Sequence, residues 1–303
     1  MESFVRCSMD ELWAATQDPA RHARWDLRFG QIEYREKASD DEPQRFTYAT
    51  TVAPGMVISG VGEALGDRAR PDGSRWSGLK FWSGDRRSLI ASGAGYWRYL
   101  PAEGGIRFLT RYDYRTRWGG FGRLADRLVF RPLFGWATAW SFDRLRLWLE
   151  EGVPPERSRD QAVAHAFATA GLAGVWAYQG LVPKLICCAD DEAVLWEGLG
   201  LSRRRARLAV RVVGAAEVGL GLAAARARRK SVFLATAVAM PLALAAVAKA
   251  SPSSLVRAFN PVSLNWATAA LAAIAALTGA GLPSGRTPLR AAPDKQPQVG
   301  ALP

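Results

Sequence analysis

The spacing of apolar and polar positions changes twice along this chain. From about Leu27 to Trp118 the two alternate in short runs, broken at Pro54-Gly55, Asp72-Gly73, Ser83-Gly84-Asp85 and Gly104-Gly105, and this pattern predicts antiparallel strands joined by tight turns. Strands are expected at about Leu27–Arg35, Phe46–Val52, Met56–Leu65, Ser74–Trp82, Leu89–Tyr99 and Ile106–Arg115. In the last of these, Ile106, Phe108, Thr110, Tyr112 and Tyr114 occupy one face and Arg107, Arg111, Asp113 and Arg115 the other, so the sheet is covered on one side only. After Gly119-Gly120 the period becomes helical: Leu124, Leu128, Leu133, Trp136, Trp140, Leu147 and Trp148 recur at helical spacing, and Pro132 is expected to kink or divide that helix.

Beyond Val163 the contrast between faces fades. The run Val163–Cys188 contains no Asp or Glu and exceeds the roughly 20 apolar residues that a crossing helix needs. Further spans are expected at Leu208–Ala225, Ser231–Ala248 and Val262–Leu282, with Ala189–Arg207 a surface helix carrying Trp196 at the interface. A linker, residues 152–162, separates a soluble domain at 1–151 from a four-helix membrane domain at 163–282, and a polar, Pro-rich tail without fixed structure is expected at 283–303.

Near the start, Ser8 followed by Glu11 is a capping box for a short helix Met9–Thr16; Asp18-Pro19 is read as its stop, and Ala20–Asp26 as a loop. A long Trp-rich helix after about six strands has one economical position, the concave face of the curved sheet, where it leaves a space between helix and sheet.

Composition changes this picture little. Lys and Arg number 23 against 20 acidic residues up to Pro155, and 17 against 8 beyond it, so the net charge of +12 belongs mainly to helix ends in the membrane half. With no basic-aromatic stripe or DNA-reading motif, nucleic acid is excluded as a partner. The three Cys have no disulfide or metal spacing, His22 and His165 lack ligand companions, and no metal site is expected. His22, Glu63 and Asp113 are read as surface groups, which leaves no catalytic residue to name. The start of the chain lacks the features of a signal peptide, and flanking Lys and Arg number nine on the side of both termini against seven opposite; both termini are expected in the cytoplasm, with the protein in the cytoplasmic membrane.

Candidate ligand-binding residues in the soluble cavity are Trp25, Tyr48, Trp82, Trp97, Phe108, Tyr112, Trp136 and Trp140. In the membrane, Glu217 is the sharpest residue, because a carboxylate within a span is costly and defaults to function. Tyr178, Gln179, Lys184, Arg211 and Asn265 complete the expected polar site.

The segments DELWAATQDPARHARWD and FGWATAWSFDRLRLWLE resemble the START-like superfamily of helix-grip proteins, also called SRPBCC or polyketide cyclase/dehydrase-like. In the second half Trp176-Ala-Tyr-Gln-Gly-Leu-Val-Pro-Lys184, Asp191-Glu192, Gly198-Leu-Gly-Leu201, Gly214-Ala-Ala-Glu217-Val-Gly-Leu-Gly221 and Asn260-Pro261 resemble, in order, the DoxX-like membrane family. The resemblances imply an α+β helix-grip domain with a hydrophobic cavity, followed by an all-α four-helix transmembrane bundle. They suggest a membrane-tethered binder of a hydrophobic small molecule or membrane lipid rather than an enzyme. The alternatives are a subunit of a membrane oxidoreductase using quinone, since some DoxX-like relatives belong to a thiosulfate:quinone oxidoreductase, and a non-catalytic anchor that assembles a membrane protein partner. No cofactor motif is evident; quinone is the one cofactor the resemblance suggests.

Overall fold

A computed structural model describes residues 1–37, 39, 42–53, 55–226, 230–258 and 260–289. The chain forms two compact units. The first comprises Met1–Arg159 together with the segment that begins at Pro283, and the second Asp160–Leu282.

In the first unit, β1 (Glu2–Val5) precedes two short helices, α1 (Met9–Gln17) and α2 (Pro19–Trp25). Then follow β2 (Gln31–Tyr34), β3 (Arg45–Ala53), β4 (Met56–Ala69), β5 (Arg75–Trp82), β6 (Ile90–Ala102) and β7 (Gly105–Thr116). All pairings are antiparallel in the order β1-β7-β6-β5-β4-β3-β2, so the chain meanders from β2 to β7 and β1 closes the far edge. The capping box is present: the Ser8 hydroxyl accepts from Glu11 N (3.2 Å) and the Glu11 carboxylate accepts from Ser8 N (2.9 Å).

The expected loop at Ala20–Asp26 is instead helix α2. Asp18 accepts from Arg21 N (2.9 Å) as N-cap, and Pro19 takes the first turn, where its missing N–H costs nothing. Asp18-Pro19 therefore ends α1 and starts α2. The first strand is correspondingly shorter than expected.

After β7 come α3 (Gly119–Ala125), a wide π turn (Asp126–Phe130) and α4 (Arg131–Glu151). The expected division falls just before Pro132, which sits in the first turn of α4, with the π turn separating α4 from α3. Gly152, at φ +68°, closes α4 by donating to Trp148 O (3.1 Å).

The core lies between the sheet and α4. Register sets its face: Trp97 opposes Thr110, Gly95 opposes Tyr112, and Gly93 pairs with both Tyr114 and Phe81. A Cβ at Gly95 would run into the Tyr112 ring, so the glycine makes room for the aromatic. On this face Trp25, Trp97, Tyr99, Phe108, Phe142 and Leu145 are buried in one cluster, with Phe108 and Phe142 stacked at 4.8 Å. Burying side chains of this size stabilises by about 1.5–3 kcal/mol each.

Residues 283–289, expected to open an unstructured tail, return to the first unit. The buried Asp143 carboxylate accepts from Ser284 N (2.9 Å), Ser284 Oγ (3.0 Å) and Gly285 N (2.7 Å), and Leu289 exchanges two backbone hydrogen bonds with Glu2. The rest of the expected tail, 290–303, lies outside the described residues.

The second unit is helical. Helix α5 (Pro155–Gln179) runs into a π turn (Gly180–Ile186) around Pro183, and α6 (Asp190–Gly198), α7 (Arg203–Arg226), α8 (Lys230–Ala250) and α9 (Pro261–Thr278) follow. Ala168, Leu172 and Trp176 of α5, Ala224 of α7, Phe233 and Met240 of α8, and Ala272 and Ala275 of α9 share one core. The expected surface helix at 189–207 is broken: α6 stops at Gly198, and Arg203–Arg205 open α7. Among the described residues three helices, α7, α8 and α9, are long and apolar enough to cross a bilayer, and α5 with its π turn counts as a fourth only with α6, bent from it by 93°. Arg228 and Arg229 of the expected basic turn lie outside the described residues.

Candidate functional sites

Each unit buries one ionic cluster. In the first, His22 and Asp26 stand four residues apart at the end of α2, with His22 Nε2 3.0 Å from Asp26 Oδ2. Arg28 clamps the same carboxylate from the following turn, Nε to Oδ1 at 2.8 Å and Nη2 to Oδ2 at 2.6 Å. All three residues are buried, so His22 is no surface group; its i,i+4 partner was readable once α2 is a helix. Burial alone would raise the Asp26 pKa, but the guanidinium and the His22 hydrogen bond overcome it and hold the carboxyl well below the usual range.

Aromatic rings surround this cluster. His22 packs on Trp25 (5.1 Å), Trp97 (4.9 Å) and Phe29 (5.1 Å), and the Arg28 guanidinium lies 4.9 Å from the Tyr112 ring and 5.4 Å from that of Phe134. Four buried polar groups converge here: Trp97 Nε1 and Thr110 Oγ1 have no hydrogen-bond partner among the described residues, while Arg28 Nη1 and the Tyr112 hydroxyl have no partner but each other. Thr110 and Trp97 are cross-strand neighbours and Tyr112 is two residues along the same face. Native interiors leave few such groups unpaired.

The expected cavity residues divide accordingly. Trp25, Trp97 and Phe108 fill the closed end of the core. Tyr48, half-buried against Phe29 (5.7 Å), and Tyr112 line its other end; burial pushes the Tyr48 phenol up to about 12. Trp82 is a correction: the odd positions of β5 face α4, so Trp82 points to the opposite side and lines a shallow hollow with Lys80, Asp113 and Arg115. Trp136 and Trp140 are corrected likewise. They stack on each other at 6.0 Å on the flank of α4 beside Gly285 rather than over the sheet.

In the second unit Lys184 is buried, with Nζ 3.0 Å from Glu217 Oε2, 3.3 Å from Glu192 Oε1 and 3.3 Å from the Gln179 carbonyl. Glycines let these helices approach: a Cβ on Gly214 would sit 2.7 Å from Lys184 Cβ, and one on Gly180 would strike the Gly214 carbonyl. One cation thus serves two carboxylates. Sequence reasoning assigned Glu192 to a surface helix and missed its part; the acidic run Asp190–Glu192 gave no sign of which member turns inward. Tyr178 and Arg211 are exposed and Asn265 donates to Pro261 O (2.7 Å) within its own helix, so these three do not join the cluster.

A unit built on an antiparallel sheet, followed by helices long and apolar enough to cross a bilayer, defines a membrane protein. The DoxX-like family profile matches residues 173–273. The chain is 44% identical over 202 residues to the uncharacterized membrane protein YndG of Bacillus subtilis (strain 168), covering 65% of this chain and 75% of that protein, and it belongs to that family. Among solved structures, TTHA0849 of Thermus thermophilus matches 44% of this chain and 84% of its own at 20% identity, with a TM-score of 0.32. A STAR-related lipid transfer protein fragment from Xanthomonas axonopodis matches 49% and 82% at 18% identity, with a TM-score of 0.36. Ara h 8.0201 matches 47% and 95% at 11% identity, with a TM-score of 0.33. The antiparallel order of the sheet in the first unit rests on the register of its own strands.

Proposed function

We propose that the protein is a membrane-anchored binder of an apolar small molecule bearing a hydrogen-bond-accepting oxygen, held between the sheet and α4. The observation that carries this reading is the pair of unpartnered atoms Trp97 Nε1 and Thr110 Oγ1 beside the Tyr112 hydroxyl on one aromatic-lined face. Leaving such a group without a partner costs about 1–3 kcal/mol, which an accepting oxygen of a ligand would recover. Asp26 is no free base for catalysis, since Arg28 occupies both of its oxygens. Extraction of the purified full-length protein followed by mass spectrometry tests the reading: wild type retains a stoichiometric amphiphile and Tyr112→Phe retains less. Extracts that contain only bulk lipid, in the same proportions for both proteins, would refute it.

The return of the chain to the first unit at Pro283 supports an even number of crossings, because a segment that leaves a soluble unit and rejoins it must end on the side where it began. On this reading α5 is the fourth crossing beside α7, α8 and α9. Reporter fusions after Gly152 and after Pro303 should then report the same side, the cytoplasm.

A second reading follows from Lys184. It stands between two carboxylates, an arrangement suited to a molecule that exchanges protons, such as a quinone. Quinone reduction by membranes that stays unchanged in a folded Glu217→Gln variant would remove this reading.

A further inference from the structure

Between Trp118 and Trp136 the first unit turns a helical face away from its own core. Phe130 and Phe134 pack inward on Tyr114 (6.0 and 6.3 Å) and Asp126 is buried, but Phe121 is 71% exposed, Leu128 65% and Leu133 59%, with Leu124, Val129 and Trp136 exposed beside them. The π turn Asp126–Phe130 adds a residue to its turn, which keeps Leu128 and Leu133, five apart, on the same side as Leu124 and Trp136. A patch of this size on a water-soluble surface marks a contact.

Charge identifies what covers it. Arg123, Arg127 and Arg131 recur every fourth residue along the stripe, all exposed. The sole acidic residue between Tyr114 and Phe142 is Asp126, and it faces inward, accepting from Tyr114 Oη (2.6 Å) and Arg131 Nη2 (2.7 Å). Arg123 and Arg127 have no ion-pair partner among the described residues. Apolar side chains flanked by arginines, with an exposed Trp at each end, are the composition of a helix lying in the head-group region of a bilayer. A protein partner's apolar surface would gain nothing from the arginine row unless it were acidic, whereas an anionic leaflet supplies both layers in the right order. Because the chain is itself held in a membrane, the leaflet is present at high effective concentration and the contact needs little intrinsic affinity.

We propose that the face formed by residues 118–136 docks on the surface of an anionic bilayer, with Phe121, Leu124, Leu128 and Leu133 among the acyl chains and Arg123 and Arg127 at the phosphates. The docking does not depend on ligand binding. If both hold, the end of the grip lined by Tyr112, Tyr114 and Phe134 opens toward lipid.

The test uses the full-length protein with Cys7, Cys187 and Cys188 replaced by Ser, checked for unchanged melting, and a bimane label at Leu128→Cys or, as control, Arg86→Cys. Reconstitution is into phosphatidylcholine nanodiscs with or without about a third of phosphatidylglycerol, each with a brominated-chain lipid as quencher. The expected result is a blue-shifted label at position 128, quenched severalfold more than at position 86, most strongly with phosphatidylglycerol and less after Arg123→Glu with Arg127→Glu. Equal quenching at the two positions in both lipids would overturn the proposal, as would cross-linking of position 128 to a second copy.

Discussion

The two buried ionic clusters obey different arithmetic. In the first unit one carboxylate, Asp26, is held by two basic side chains, Arg28 through two short hydrogen bonds and His22 through a third. In the second unit Lys184 stands between Glu217 and Glu192, one against two. The first arrangement fixes geometry, here the turn that carries α2 into β2 beneath Trp97. The second sets two acidic groups on one amine, which is costly in a membrane unless it is used.

The comparison breaks hardest at its pivots. Removing the partner of a buried charge typically costs about 3–5 kcal/mol. Asp26→Asn, which strands Arg28, and Lys184→Met, which strands two carboxylates, should both fall in that range by thermal or denaturant unfolding. Should Lys184→Met prove neutral, the membrane cluster would not be an ion cluster in the native protein.

Next in size is packing. Gly214→Leu forces α7 away from Gly180 and Lys184, and overpacking of this kind costs about 1–3 kcal/mol, measurable as a lower melting temperature in detergent. Glu217→Gln sharpens the contrast from the other side. It removes one of the two carboxylates while keeping shape and leaves Lys184 paired with Glu192, so its effect on stability should stay within about 1 kcal/mol, well below that of Lys184→Met, since an ion pair's removal is costly chiefly for the charge left unpaired.

Acidity separates wild type from Asp26→Asn. The folded-state pKa of Asp26 lies below the unfolded value of about 3.9, so its contribution is complete above that pH and is lost as pH falls from there through the folded value. Acid titration of the wild type should therefore lose stability below about pH 4, and Asp26→Asn should show a shallower dependence over the same window. The smallest effect is at the periphery: Ser8→Ala, which removes the capping hydroxyl of α1, should cost about 1 kcal/mol.

Much of the fold was legible because strands β3 to β7 end at Gly or Pro turns, and because Leu208–Ala225 and Ser231–Ala248 are too apolar to face water. What escaped was relational. Trp82 was misplaced because β5 carries bulky residues on both faces, Trp76 and Trp82 opposite Leu79 and Phe81, so no polar contrast marks the inward side. Trp136 and Trp140 share a helix with Phe134 and Phe142, and only the direction of α4 across the sheet decides which pair meets it. The Ser284–Gly285 contact with Asp143 joins residues 141 positions apart and leaves no periodic trace. Glu217 and Lys184 were readable from their cost in lipid; Glu192, in a polar run, was not.

The most direct test of the central claim is a density map of the full-length protein in lipid nanodiscs, prepared without added ligand. The account predicts density of a small molecule between the sheet and α4, its oxygen within hydrogen-bond reach of Thr110 Oγ1, Tyr112 Oη or Trp97 Nε1. An interior closed by Phe134, with those atoms bound only to ordered water, would contradict it.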